Sequence, residues 1–442
     1  MHKIIKILTV IVTLLIIAGA VYYWYFYIYV SSTPTTTENQ NPTTGFIPFD
    51  RDIPASSGQD AGDSNNGNTT SASNVQTTAP LPILRLLSAT PVGGYGASTT
   101  ASTTVVRWVD RGRGNIYEAR GDRLDITTIS NTLLPRVYES WWNKNDTSFV
   151  GQYLSDKGDE ITTVIANIQK RVAPTPAKTG TSTSVMTETI QNQQVTGTIY
   201  ELKGKVVSGN IIAVASSPKR DRILVINNDN GRAIGYVSNF DGSKQTQLFD
   251  LPFTQLVAEW PEENTIAITT KAGANYSGYL YFVNVKTGVL TQILGNMPGL
   301  ATKVSKDAIR VLYSSATKDT NMTKTIIYEI NTGKSTEMIF RTFADKCVWS
   351  SKFKEEVYCA LPSKITTGIY PDDWYLGKVS FIDDIWLLNS TTGQIHRVSK
   401  LLSQANQLID VFNIELDTNG DFLYFMNKNN LSLWSLDLVS SN

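Results

Sequence analysis

The sequence predicts an all-β domain assembled from one repeated four-stranded unit, set behind an apolar helix and a polar tether. Three observations carry that prediction. A turn-and-strand pattern recurs at about 45 residues through positions 81–442, no segment of 12 or more residues there shows a helical period, and the first 80 residues differ sharply in composition from the rest. A hydrophobic fraction of 41% with 18% charged and 10% aromatic residues belongs to a chain with an ordinary buried core. Its 39 basic and 39 acidic residues balance, which removes the electrostatic basis for a nucleic-acid partner. Two cysteines exclude a disulfide-rich scaffold and a four-thiolate zinc site, and two histidines, His2 and His396, leave little material for histidine chemistry.

Residues 7–30 are 24 consecutive positions without a charge. As a helix they span roughly 36 Å, enough for a hydrocarbon core of about 30 Å. Lys3 and Lys6 precede the run, so the positive-inside tendency puts the N-terminus in the cytoplasm and the remainder on the extracytoplasmic side. The aromatic run 22–27 falls at the outer interface. Ala18-Gly19-Ala20 also resembles a signal-peptidase site, whose cleavage would leave a mature end of mostly aromatic residues. Residues 1–30 are therefore expected to be a cytoplasmic stub and transmembrane helix. In residues 31–80, 35 of 50 are Ser, Thr, Asn, Gln, Gly or Pro, a composition that cannot offset its ordering entropy and predicts a disordered linker. Such a chain reaches roughly 40 Å end to end. One apolar island, Phe46-Ile47-Pro48-Phe49, interrupts it.

Positions 81–442 hold the repeats. First turns align at 142–146, 217–221, 260–264, 305–307, 349–353 and 417–421, each followed by a run rich in Val, Ile, Tyr and Phe. A later element recurs as Tyr-Phe-Val-Asn-Val-Lys-Thr-Gly at 281–288, Ile-Tyr-Glu-Ile-Asn-Thr-Gly at 327–333 and Ile-Trp-Leu-Leu-Asn-Ser-Thr-Thr-Gly at 385–393; Gly288 to Gly333 is 45 residues. Each ends in a turn whose glycine accepts positive φ. Antiparallel four-stranded units at this period predict a β-propeller. Units at 92–131, 137–207, 211–250, 255–296, 301–340, 345–402 and 408–438 make it seven-bladed, with long insertions at 172–196 and 364–378. The last unit has three strands, and residues 82–89 supply its outer strand, which closes the ring and removes open edges.

The turn Ser217-Pro218-Lys219-Arg220-Asp221 ahead of Ile223-Leu224-Val225 resembles the Ser-Pro-Asp-Gly turns of TolB-like and WD-repeat-like propellers, over roughly residues 82–438. No unit carries the Gly-His and Trp-Asp pair of WD repeats. With the anchor and tether, the whole resembles membrane-anchored envelope propellers of bacteria. That resemblance implies a binding or scaffolding role and carries over no catalytic residue.

Cys347 and Cys359 lie equidistant from Phe353, so a symmetric hairpin sets them opposite one another. An oxidising compartment favours their disulfide, with separately buried thiols as the alternative. No nucleophile elbow, phosphate loop, zinc helix or dinucleotide fingerprint occurs, so no catalytic residue, metal or cofactor is assigned. His396 falls on an outer strand. Asp417-Thr418-Asn419-Gly420-Asp421 spaces oxygens like a calcium loop but lacks the later bidentate Glu and coincides with a unit turn. Trp142, Trp260 and Trp349 hold equivalent positions, which suits packing between units.

The binding candidates are Tyr370, Asp372, Asp373, Trp374 and Tyr375 of the 364–378 insertion, with Tyr276 on the neighbouring 271–278 loop. Rings beside carboxylates suit a sugar or a protein hot spot; the alternative is that Trp374 folds back over its own loop. The sequence thus predicts an extracytoplasmic binding scaffold for an envelope protein or glycan. Its rivals are a propeller enzyme of the glycoside-hydrolase or lyase type, with Glu259 and Glu415 as channel carboxylates, and a purely structural surface protein.

Overall fold

The computed structural model describes residues 81–100, 103–155, 160–170, 200–316 and 323–440. All of them belong to the unit Thr77–Asn442. The expected anchor, the linker and the whole 172–196 insertion lie outside these residues. Among the described residues, no helix is long and apolar enough to cross a membrane.

The chain begins with β1 (Leu84–Ser88) and then runs through antiparallel meanders of four strands. The first is β2 (Val92–Thr100), β3 (Thr103–Asp110), β4 (Ile116–Arg120) and β5 (Ile126–Ser130). The second is β6 (Val137–Trp142), β7 (Ser148–Leu154), β8 (Ile161–Lys170) and β9 (Tyr200–Val207). There follow β10 (Ile211–Ser216), β11 (Arg222–Asp229), β12 (Arg232–Asn239) and β13 (Thr246–Leu251), and then β14 (Leu256–Glu262), β15 (Thr265–Thr270), β16 (Ser277–Asn284) and β17 (Leu290–Pro298). Next come β18 (Ala301–Val304), β19 (Arg310–Ser315), β20 (Lys324–Glu329) and β21 (Lys334–Glu337), and β22 (Cys347–Trp349), β23 (Glu356–Pro362), β24 (Asp383–Asn389) and β25 (Ile395–Ser399). The chain ends with β26 (Val411–Leu416), β27 (Phe422–Asn427) and β28 (Leu433–Asp437), and two short helices, α1 (Asp372–Tyr375) and α2 (Leu401–Ala405), interrupt the connections.

The arrangement is an all-β propeller, with one correction to the expected seven separate blades. Five four-stranded sheets stand alone, and β2–β5 and β6–β9 share one eight-stranded sheet. The two meanders join where their outer strands meet in a single parallel pair, Ser130 with Tyr200. Leu202 N also donates to Thr132 Oγ1 at 3.0 Å, which holds β9 beside the end of β5.

Second strands are buried on both faces because each sheet packs between two neighbours, so they read as continuous apolar runs: Ile223 to Ile226 in β11 and Val357 to Leu361 in β23. Outer strands such as β21 (Lys-Ser-Thr-Glu) are fully exposed. The three tryptophans sit between successive meanders. Trp142 packs with Val109 and Ile116, Trp260 with Leu224 and Ile226, and Trp349 with Leu312 and Ile327, in each case on the preceding meander. Trp349 Nε1 also donates to Lys303 O of β18 at 2.9 Å.

The ring closes through the termini. β1 pairs antiparallel with β28, Leu84 opposite Leu436 and Leu86 opposite Trp434. Arg85 ties this strand onward, donating to Arg120 O at 3.0 Å and Arg123 O at 2.7 Å in the first meander. Asp417 makes a second tie. Its Oδ2 accepts from Thr99 and Thr104 at 3.0 Å each, while Oδ1 accepts from the backbone of Asp421 and Phe422. The acidic turn at 417–421 is thereby spent on the fold. Cys347 and Cys359 are directly opposed on β22 and β23 and form a buried disulfide.

Deleting residues 81–89 leaves β28 as an open edge and should produce an aggregating chain with no cooperative melt. A monomeric variant with an unchanged melting temperature, by light scattering and circular dichroism, would refute closure by β1.

Candidate functional site

The 364–378 insertion leaves β23 and returns to β24. Its centre, α1, lies against an aromatic cluster of Phe343, Tyr370, Trp374 and Phe381. Trp374 is 2% exposed and stacks on Phe343 at 4.9 Å between centroids. Tyr370 is buried as well, its hydroxyl donating to Thr366 O at 2.8 Å. The expectation that Tyr370 and Trp374 stack on a ligand is therefore corrected: both rings are core, because the cluster offers more apolar contact than solvent does. The acidic pair is also taken up by protein donors. Asp372 Oδ2 accepts from Ala274 N at 2.9 Å, across to the loop between β15 and β16, and Asp373 Oδ2 accepts from Ile369 N at 2.8 Å. Lys378 stands 3.3 Å from the other Asp373 oxygen. Of the candidates, Tyr276 and Tyr375 stay exposed, and Tyr375 donates to Asp345 Oδ2 at 2.5 Å. The insertion is a cap, pinned to a sheet two places away.

Beneath the cap lies a group the sequence does not single out. Lys346, fully buried, donates to Asp383 Oδ2 at 2.6 Å and to Asp410 Oδ1 at 2.5 Å. Trp374 Nε1 lies 3.1 Å from both Asp410 oxygens, Phe381 N donates to Asp410 Oδ2 at 3.1 Å, and Val411 N donates to Asp383 Oδ2 at 2.8 Å. The ammonium also faces the Trp374 and Phe381 rings at 5.0 and 4.9 Å. Asp383 Oδ1 is buried without a partner. Burial pushes the Asp383 carboxyl up to about 6, Lys346 pulling against that rise and Asp410 adding to it.

The innermost strands surround a central channel. One cavity of about 360 Å³ is lined from β14, β18, β22 and β26 together, by Glu259, Lys303, Trp349 and Glu415, with Lys306 beyond the end of β18. A second, of about 370 Å³, shares Lys306 and Glu415 and adds Arg220 and Asp417. Lys303 pairs with Glu259 at 3.3 Å, and Glu259 Oε2 also accepts from Val304 N at 3.1 Å. Glu259 raises the Lys303 ammonium against the effect of burial. Arg220 pairs with buried Asp146 at 3.2 Å, and Lys306 donates to Ser351 Oγ at 2.6 Å.

Glu415 differs from these: its carboxylate has no hydrogen-bond or ion-pair partner among the described residues. Burial raises its pKa, against the pull of Arg220 and Lys303. Further along, burial pushes Glu139 up to about 7, with Lys271 pulling it down. Solvent touches both carboxylates, yet protein walls the channel around them, so each is wet but poorly solvated. His396 is exposed on β25, and no group of three His, Cys, Asp or Glu is placed to hold a metal among the described residues. Glu259 and Glu415 were legible as channel carboxylates; Lys303, Lys306, Arg220 and Glu139 carried no distinguishing signal.

These features define a β-propeller with one capped face and a charged channel opening between the first turns. No family model matches the chain, and no curated protein matches its sequence. Among solved structures it is similar to TolB of Acinetobacter baumannii, at 12% identity and TM-score 0.38, covering 75% of this chain and 63% of that one. It is similar to a puromycin-hydrolysing peptidase of Mycobacterium tuberculosis, at 13% and 0.41, covering 75% and 50%. It is also similar to oligogalacturonate lyase of Vibrio parahaemolyticus, at 9% and 0.44, covering 78% and 97%. The chain spans less than two thirds of the first two proteins' lengths. At these TM-scores the likenesses carry no argument about activity or ligand.

Trp374→Ala should cost about 3–5 kcal/mol, read by denaturant melting, because it empties the cluster and strips a donor from Asp410; an unchanged melt would return Trp374 to the ligand candidates. Asp383 should make stability fall as pH rises. Between about pH 4 and pH 6 the folded chain keeps a proton that the unfolded chain, titrating near 3.8, has lost. The loss is at most about 3 kcal/mol. Asp383→Asn should flatten that slope relative to the parent, and parallel pH profiles for the two would contradict the assignment.

Proposed function

We propose that the chain is a membrane-tethered binding module on the extracytoplasmic side of the cytoplasmic membrane, and that an envelope protein or glycan enters its channel between the first turns. The uncharged run at 7–30 and the linker composition at 31–80 support the tether. We count the shared sheet as two units, giving seven, because β2–β5 and β6–β9 are complete meanders joined by one residue pair.

The observation that carries the reading is the unpaired Glu415 carboxylate beside Lys306 in an open cavity. An unpartnered carboxylate in poorly solvated surroundings is costly unless something completes it. A ligand presenting a cation or hydrogen-bond donor to Glu415 and an acceptor to Lys306 does so. The enzymatic reading has one feature behind it, the Glu139 carboxyl near 7, a value suited to a general acid. Glycoside cleavage needs a second carboxylate on the same bond. Glu139 titrates beside Lys271 and Glu415 beside Arg220 and Lys303, two different charge neighbourhoods, so binding is the reading we carry.

The test is capture from solubilised envelope, beside a glycan array, comparing the parent with Glu415→Gln and Lys306→Ala. Capture should drop at least about ten-fold in both variants while neither melting temperature falls. Equal capture by all three chains would remove the channel from consideration.

A further inference from the structure

We propose that Lys346 and Asp383 condense into an intramolecular amide, with Asp410 as the proton carrier, so that a covalent side-chain bond forms at the base of the cap. Lys346 stands just ahead of β22, Asp383 opens β24 and Asp410 lies just ahead of β26. All three are buried, and the rings of Trp374 and Phe381 face the ammonium at 5.0 and 4.9 Å. Nζ is 2.6 Å from Asp383 Oδ2 and 2.5 Å from Asp410 Oδ1, so nucleophile, electrophile and proton acceptor are already in contact. Groups fixed at such range reach effective concentrations of roughly 10⁵ M or more, and a site closed to solvent protects the product from hydrolysis.

The hydrogen bonds around the pair suit an amide better than an ion pair. An ionised Asp383 needs donors on both oxygens. Oδ2 accepts from Val411 N at 2.8 Å, whereas Oδ1 is buried with no partner among the described residues. After condensation Oδ2 is the amide oxygen and keeps Val411 N, the amide N–H has Asp410 Oδ1 as its acceptor, and the oxygen that nothing holds has left. Burial lifts the Asp383 carboxyl to about 6, within reach of the neutral form that an amine attacks. Trp374 Nε1 and Phe381 N, each 3.1 Å from Asp410, hold that group as a carboxylate able to take a proton. The step needs no further reactant. Asp410 takes one proton from the Lys346 ammonium and hands it to Asp383, leaving a neutral amine beside a neutral carboxyl. The nitrogen lone pair forms the C–N bond, Asp410 passes a second nitrogen proton to Oδ1, and the C–Oδ1 bond breaks with its electron pair leaving on water. Of three nitrogen protons, one stays on the amide and two depart on the water, and Asp410 ends as the carboxylate it began. Two buried charges, whose desolvation makes such a pair costly, disappear. Neither the channel nor the tether enters this inference.

The test is the mass of the full chain, incubated folded at neutral pH and then reduced. A coupled chain is one water lighter than its sequence, and trypsin no longer cuts after Lys346. Residues 342–352 then emerge joined to residues 379–397, with fragment masses placing the bond on Asp383 rather than Asp384. Lys346→Arg should keep its full mass, because a guanidinium does not give up its proton. Asp410→Asn lacks the proton carrier and should couple at least about a hundred-fold more slowly. A parent chain of full mass that trypsin cuts after Lys346 overturns the proposal, whatever the variants do. So does a chain one water lighter whose peptides all stay linear, which would mean that an aspartate has closed on its own backbone. Coupling of Asp410→Asn at the parent's rate would strip Asp410 of its part. The fall of stability with pH ascribed to Asp383 belongs to the uncoupled chain, since coupling consumes the carboxyl, so the mass is read before each melt.

Discussion

The pairing of β1 with β28 is the constraint on which the rest of the molecule depends. Each sheet of the ring is buried on two faces, so each needs a neighbour on either side, and a broken ring would expose two such faces at once. The closing contacts run from the last sheet into the first: Arg85 onto Arg120 and Arg123, Asp417 onto Thr99 and Thr104, and Tyr95 onto the carbonyls of Asn413 and Tyr424. Glu415 sits on β26 between two of these ties. Its position beside Lys303 and Lys306, from a sheet two places away, is set by closure and by nothing local. Asp410, which holds the cap, lies just ahead of the same strand. Both the channel and the cap therefore inherit their geometry from the backbone pairing of the chain's two ends.

The buried Lys346 cluster translates closure into a placed cap. It carries one positive and two negative groups out of water, and such clusters add little net stability because desolvation consumes most of the Coulombic gain. What it supplies is direction. The ammonium is satisfied when the entry to β22, the start of β24 and the approach to β26 converge, and Trp374 completes Asp410 from above. Asp383 Oδ1, left without a donor among the described residues, marks where convergence is incomplete, while burial, with Asp410 adding to it, is what raises the carboxyl.

The parts of this architecture legible in the sequence are those written locally. First turns, strand-ending glycines and apolar second strands repeat because every sheet solves the same packing problem. The opposed cysteines follow from hairpin symmetry, and the closing strand from a unit one strand short. What escaped depends on partners far along the chain. One pair, Ser130 with Tyr200, merges two sheets, and no composition marks it. Trp374 between acids reads equally as a ligand platform or as a lid, and Asp410, 36 residues downstream, decides it. Lys346 follows Ala344 and Asp345 as any surface lysine might; its partners lie 37 and 64 residues away. Glu259 and Glu415 were visible as inward carboxylates, but the cations that distinguish them belong to other sheets.

The two faces of the ring handle water in opposite ways. On the capped face, Asp372 accepts from Ala274 N, Asp373 accepts from Ile369 N and pairs with Lys378, and Asp345 accepts from the Tyr375 hydroxyl, while Ile369, Leu376 and Tyr276 stay exposed. On the other face the turns leave a cavity whose charges are partly matched: Lys303 with Glu259, Arg220 with Asp146, and Glu415 with none among the described residues. A fold that needed only stability would neutralise Glu415 or fill the space, since a Gln there would relieve the desolvation that raises the carboxyl. Retaining an open carboxylate, unmatched among the described residues, leaves the channel face with a group that the fold itself does not complete. Such a group is completed by a polar ligand, and the ring holds it on the side opposite the cap.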